Sequence, residues 1–271
     1  MKAYCFVMIT LFPCIVWGQS ERREGEDYEL NENIPYLVEQ NASNDYRRKR
    51  CKLDFYYPTL GLAYPTVVWF HGGGLRSGNK SIPKQLKNRG VAVVAPNYRL
   101  FPKAKCPDYI EDAAAAVAWT FKNIGKFGGD PSMIYVSGHS AGGYLTSMVG
   151  LDKSYLAKYG IDADRLAGLI PFSGHTITHF TPREESGISK KKVVVDRFAP
   201  ISHLRKEAPS ILIITGDREL EMLGRYEENA YFWRMLKVAG HPNAEILELS
   251  GFDHGGMASP AFPHLLKFVK R

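Results

Sequence analysis

The stretch Gly138-His139-Ser140-Ala141-Gly142 places a serine between glycines, after the apolar run 132–137 and before a helix-like segment at 141–150. A strand that passes at once into a helix turns too sharply for side chains on both flanks. Glycines accommodate such a turn, and the serine is pushed out at the carboxyl edge of a sheet. A serine in a glycine turn is also a common helix N-cap, so the motif draws its meaning from the strand–turn–helix context. With a base beside it, Ser140 is a nucleophile. A second glycine stretch, His71-Gly72-Gly73-Gly74-Leu75, follows the apolar run 65–70. Backbone N–H groups about 3 Å from a developing oxyanion stabilise it, and glycines let the backbone come that close. Gly72 and Gly73 are the expected donors, with Ala141 N–H as a third. The rival reading is a phosphate loop, but Asn79 between Gly78 and Lys80 breaks the Gly-x4-Gly-Lys-Ser spacing.

The base is expected after the last strand, where Gly251-Phe252-Asp253-His254-Gly255 supplies His254. His139, beside the serine, is expected to point elsewhere and to be structural, and Asp253 to shape its loop. An acid that orients the histidine belongs after the penultimate strand, in the chain order serine, acid, histidine. Three acids, Asp217, Glu219 and Glu221, follow the apolar run 210–216. The residue types alone leave the choice among them open.

The elements that must position these groups alternate in kind. Strands are expected at 34–38, 49–58, 65–70, 91–100, 132–138, 166–174, 210–216 and 244–250. Helices are expected at 81–90, from about 107 to 125, and at 141–150, 226–240 and 260–271, with 175–198 irregular. Early antiparallel-type strands followed by alternating strand and helix predict an α/β fold, a mostly parallel central sheet with helices on both faces. The 271 residues, 45% hydrophobic and 23% charged, suit one large domain. Residues 1–18 carry one lysine and a short apolar run broken by Pro13, shorter than the roughly 20 apolar residues of a spanning helix. They read as a signal peptide, which leaves 19–271 as a single domain, secreted or periplasmic, with no membrane span after cleavage.

The formal net charge of +7 falls by one with Lys2 and could favour an acidic polymer. No arginine-rich stripe or aromatic–basic interleaving points to nucleic acid. Arg47-Arg48-Lys49-Arg50 reads as a solvated strand edge. Cys51 and Cys106 remain after cleavage, and sequence does not decide whether they pair. No metal is expected: no Cys-x-x-Cys or His-x-x-Glu-His pattern occurs, and His175 and His179 fall in a loop-like segment. Asn41 and Asn79 head glycosylation sequons, relevant in a eukaryotic source.

On "VVWFHGGG", "VAVVAPNYRL", "IEDAAAAVAW", "DPSMIYVSGHSAGGYL", "APISHL" and "GFDHGGM", all in family order, residues 34–271 resemble the α/β-hydrolase superfamily. The resemblance is to esterases and lipases of the hormone-sensitive-lipase-like branch and to small bacterial feruloyl- and acetyl-ester hydrolases. It implies Ser140 as nucleophile, His254 as base, Gly72, Gly73 and Ala141 as oxyanion donors, and no cofactor. The family's acid is usually an aspartate three residues after the glycine that ends its strand. Here that position, counted from Gly216, holds Glu219, which is therefore the expected acid, with Asp217 as alternate and Glu221 expected to tolerate an amide. No lipase-type helical lid is evident in 19–58. The expectation is a secreted serine esterase for short-acyl or aromatic esters, including acetyl or feruloyl groups on polysaccharides. The alternatives are an amide, arylformamide or peptide hydrolase with the same residues, and a non-catalytic binding protein on the same scaffold. The oligomeric state is not legible.

Overall fold

The computed structural model describes residues 27–37 and 45–271. The expected signal peptide at 1–18 and the sequon at Asn41 lie outside the described residues. The strands are β1 (Tyr28–Pro35), β2 (Lys52–Pro58), β3 (Tyr64–Phe70), β4 (Ala92–Pro96), β5 (Gly129–His139), β6 (Gly168–Phe172), β7 (Ile211–Gly216) and β8 (Ala244–Leu249). They form one sheet in the order β1-β2-β4-β3-β5-β6-β7-β8. The β1–β2 and β2–β4 pairs are antiparallel, and every pairing from β4–β3 to β7–β8 is parallel. The helices are α1 (Asp45–Arg50), α2 (Asp108–Asn123), α3 (Ala141–Leu151), α4 (Lys153–Ala157), α5 (Phe180–Glu185), α6 (Arg225–Val238) and α7 (Ala258–Val269).

Strand periodicity divides the core between the two faces. Val68 and Phe70 of β3 and Ala92 and Val94 of β4 pack in one cluster with α2, α3 and the inner side of α6. Their neighbours Val67, Trp69 and Val93, with Val91 just before β4, pack in a second cluster with α7. Side chains that alternate along buried parallel strands require helices on both sides, as the continuous apolar runs predicted. Small residues set the spacing: the fully buried Ala113–Ala116 run lets α2 lie close to the sheet.

Three expectations change. The strand expected at 34–38 runs earlier, over Tyr28–Pro35, so the polar stretch 28–33 is most of β1. It is an edge strand, so half of it faces water while its backbone pairs with β2. The helix expected at 81–90 is one 3-10 turn, Lys84–Leu86, entered from Pro83 and anchored by buried Leu86. Arg47–Arg50 is not a solvated strand edge but the end of α1. Arg47 Nε lies 3.2 Å from Asp112 Oδ1, and Arg99 Nε donates to the other oxygen of that carboxylate at 2.7 Å. Asp112 is completely buried, which is tolerable because both of its oxygens are paired. Cys51 and Cys106 are both free thiols, and burial pushes each up to about 12.

Candidate active site

β5 ends at His139 and α3 begins at Ala141, so the whole reversal falls on Ser140, at φ 57° and ψ −114°. That backbone region is costly for a residue with a Cβ. It is held by Ser140 N–H donating to Phe172 O at 2.8 Å and by Ser140 O accepting from Tyr144 N–H at 3.0 Å. A Cβ on Gly142 would stand 2.1 Å from Phe70 O, and one on Gly138 would stand 2.6 Å from the carbonyl carbon of Gly142. The glycines flanking the serine are required by contact of α3 with the end of β3, and the serine side chain is left partly exposed at the sheet's carboxyl edge.

The loop after β3 passes beside it. A Cβ added to Gly72 would lie 3.5 Å from Ser140 Cβ, and Gly73, at φ 107°, has no room for one against Ser77 O. The loop is braced from behind. His71 Nδ1–H donates to Gly72 O at 2.7 Å, and Tyr98 Oη–H donates to His71 O at 2.7 Å. The Tyr98 ring stacks on His71 at 4.4 Å. Burial lowers His71 to about 4, so the ring is neutral.

His254 lies on the loop between β8 and α7. Its Nε2 is 2.9 Å from Ser140 Oγ. The loop is closed by Asp253, whose Oδ1 accepts from Gly256 N–H at 2.6 Å. His139 turns away from the serine's front, and its Nε2–H donates to His254 O at 2.7 Å. Burial lowers His139 to about 4, and it acts as a neutral donor holding the His254 backbone.

The acid is where expectation and structure part. His254 Nδ1–H donates to Glu221 Oε1 at 2.5 Å. Neither Glu219 nor Asp217 occupies that place. Glu221 N–H donates to Asp217 O at 2.7 Å, so residues 217–221 make one helical turn after β7. At about 100° per residue, position 219 faces away from both 217 and 221, and Glu219 is exposed. Asp217 braces the turn instead: Oδ1 accepts from Glu219 N–H at 2.9 Å and Oδ2 from Gly251 N–H at 2.7 Å. Counting three residues from Gly216 assumes an open loop. A turn over 217–221 disfavours position 219 but leaves 217 and 221 on one side, about 40° apart, so the choice between them is made by the fold.

The Glu221 carboxylate is buried and well supplied with donors. Ser173 Oγ–H donates to Oε2 at 2.6 Å and Met222 N–H to Oε1 at 2.8 Å. Burial raises its pKa, but the bonds from His254, Ser173 and Met222 more than offset that and bring it down to about 2. Ser173 carried no sequence signal, since nothing marks a serine after a strand as facing a distant loop.

His175 and His179 lie in the loop between β6 and α5, as expected, and both are buried. His175 Nδ1 lies 2.8 Å from Glu228 Oε1, and His179 Nδ1 accepts from Thr181 N–H at 3.1 Å at the start of α5. Among the described residues no three His, Cys, Asp or Glu side chains cluster as metal ligands. None of the described helices is long and apolar enough to cross a membrane. A cavity of about 220 Å³ is walled by Cys106, Arg183, Glu185 and Phe198, and none of Ser140, Glu221 and His254 lines it.

A serine at the turn from β5 to α3, a histidine after the last strand and an acid after the one before it, on a sheet of this order, define the α/β-hydrolase fold. The chain has that fold and is similar to esterases and lipases built on it. The BD-FAE family model matches residues 53–168. Esterase LipC of Mycobacterium tuberculosis is 29% identical over 209 residues, covering 70% of this chain and 51% of the relative. A probable isoprenylcysteine alpha-carbonyl methylesterase of Oryza sativa, ICMEL1, is 38% identical over 104 residues, 36% of this chain and 24% of the relative. The chain thus spans about half the length, or less, of these curated relatives. Among solved structures, a truncated carbohydrate esterase from gut microbiota superposes with a TM-score of 0.73 at 22% identity, covering 91% of this chain and 97% of that one. An esterase of Pyrobaculum calidifontis superposes with a TM-score of 0.67 at 22% identity, covering 90% and 85%.

The depressed Glu221 value gives a stability prediction. Its carboxylate stabilises the fold above the ordinary value of 4.5, and that contribution is lost as pH falls toward about 2. Glu221→Gln removes it. In urea unfolding from pH 7 to 2, the stability gap between wild type and Glu221→Gln is expected to be largest above about pH 5 and to narrow below it. A gap constant across that range would contradict the depressed carboxyl.

Proposed function

We propose that this protein is a serine carboxylic-ester hydrolase, exported from the cytoplasm, that acts on short-acyl or aromatic esters. Acetyl and feruloyl groups on polysaccharides are the favoured substrates. The observation that carries the activity is the unbroken line Glu221–His254–Ser140 ending on a partly exposed hydroxyl at the elbow. Ser140 Oγ attacks the acyl carbon while His254 Nε2 takes its proton. Glu221, ionised, stabilises the imidazolium that forms. The oxyanion is received by the N–H groups of Gly72, Gly73 and Ala141. His254 then protonates the leaving alcohol, and water repeats the cycle on the acyl-enzyme. A binding protein on this scaffold would have no use for such a line. The substrate class is supported by the superposed carbohydrate esterase and by the basic net charge, which suits acidic glycans. Export is supported by the leader-like character of residues 1–18.

Three measurements test this reading. Ser140→Ala is expected to abolish labelling by a phosphonate ester and nearly all turnover. Glu221→Gln should cost a large factor in kcat, toward the order of 10⁴ found when a triad carboxylate becomes its amide. Glu219→Gln should remain close to wild type, and Asp217→Asn should lose moderately through its loop. An active Glu221→Gln beside an inactive Glu219→Gln would overturn the triad.

Across nitrophenyl esters from acetyl to palmitoyl, rates should fall steeply with chain length, and acetylated xylan or feruloylated oligosaccharides should be deacylated. Equal rates on palmitoyl esters, or faster cleavage of an arylformamide than of any ester, would redirect the substrate assignment. Mass analysis of exported protein should find Gln19 at its N-terminus; an intact Met1 would refute cleavage.

A further inference from the structure

Ser173 follows β6 with φ at 46°, in the left-handed region, and is completely buried. Two elements, β7 and α6, hold its backbone there. Its N–H donates to Ile214 O of β7 at 2.7 Å. Its carbonyl accepts from Arg225 Nη1, and the carbonyl of Gly174 accepts from Asn229 Nδ2 at 2.9 Å, both donors lying on α6. Its hydroxyl oxygen is 2.6 Å from Glu221 Oε2 and 3.1 Å from His254 Nδ1.

A hydroxyl has one proton and two lone pairs. Glu221 is ionised and can only accept, so the Ser173 proton goes to Oε2. The Ser173 oxygen then presents lone pairs to His254 Nδ1, and Glu221 Oε1 does the same at 2.5 Å. With acceptors on both sides, Nδ1 must carry the ring proton. Nε2 is left with its lone pair toward Ser140. The acid here is a glutamate, with one more rotatable bond than the aspartate expected of the family, and it is fixed at both oxygens: Oε1 by Met222 N–H and Oε2 by Ser173. We propose that Ser173 is a positioning residue of the active site, whose hydroxyl locks the longer glutamate arm onto His254 and selects the tautomer in which Nε2 can accept the Ser140 proton. The inference rests on the serine-hydrolase reading above.

The test uses Ser173→Ala and Ser173→Gly, each alone and combined with Glu221→Gln, assayed on a short-chain ester. The downfield proton resonance of His254 Nδ1–H is recorded on the free proteins. Both variants remove the hydroxyl, and glycine also relaxes the positive-φ backbone. Each is expected to lower kcat about tenfold with KM within about twofold, and to shift or broaden the Nδ1–H resonance. In the Glu221→Gln background the same changes should cost less than about twofold, because the group that Ser173 positions is gone. Equal losses in both backgrounds, an effect of glycine without one of alanine, or an unchanged resonance with wild-type kcat would each overturn the role. If the wild-type protein hydrolyses no ester, the functional reading fails, and the resonance still reports whether the Ser173 hydroxyl holds the Glu221–His254 pair.

Discussion

The backbone of Ser140 is the constraint on which the rest depends. A residue with a Cβ at φ 57° and ψ −114° costs on the order of 1–3 kcal/mol. It persists because its neighbours leave it no alternative. α3 touches the end of β3 through Gly142, and Ser140 N–H is captured by the last carbonyl of β6. β3, β5, β6 and α3 therefore meet at one residue. The same strands deliver the other parts: β3 runs out into the 71–75 loop and β6 into Ser173. A site built where strands end inherits the rigidity of the sheet.

Behind the histidine the structure buries charge, and does so with partners. Arg225, 2% exposed, reaches from α6 to Ser173 O and donates to Glu228 Oε1 at 2.7 Å. The other oxygen of Glu228 accepts from Thr176 N–H at 3.1 Å. Burial of Glu228 opposes its ionisation, but His175, Arg225 and the Thr176 N–H outweigh it and hold the carboxyl below its usual range. An unpaired charge there would be expensive, and a paired one fixes geometry. The 173–177 segment and the start of α6 are thereby tied together. The turn carrying Glu221 leads directly into α6.

The glycine loop is secured from the opposite side, by the end of α1. Arg50, the last residue of α1, donates to Tyr98 O at 3.0 Å, Gly78 O at 2.6 Å and Asn79 Oδ1 at 2.6 Å. Tyr98 in turn holds His71. Asn79, read as a sequon residue, sits in this brace. The basic run that looked like surface charge is thus part of the support for the expected oxyanion donors. Its placement depends on Asp112 and Arg99, which lie 65 and 52 residues beyond Arg47 in the chain.

Local chemistry made much of this legible. The elbow, the glycine loop and the histidine after the last strand are each specified by neighbours in sequence: glycines allow a turn, an apolar run makes a strand, and the order of strands along the chain predicts which loops share the carboxyl edge. Pairing partners were legible only in part, since polar β1 is a strand by virtue of the edge it occupies rather than the residues it contains. The acid was not legible. Asp217, Glu219 and Glu221 are chemically near-equivalent, and which one reaches His254 depends on a single helical turn that closes after β7. Ser173 was still less so, because a buried hydroxyl acquires its role from two loops that approach it through space. Sequence determines which side chains exist and how the local backbone turns; only the packed fold decides which carboxylate loses its water and faces the imidazole, since that is set by contacts between segments dozens of residues apart.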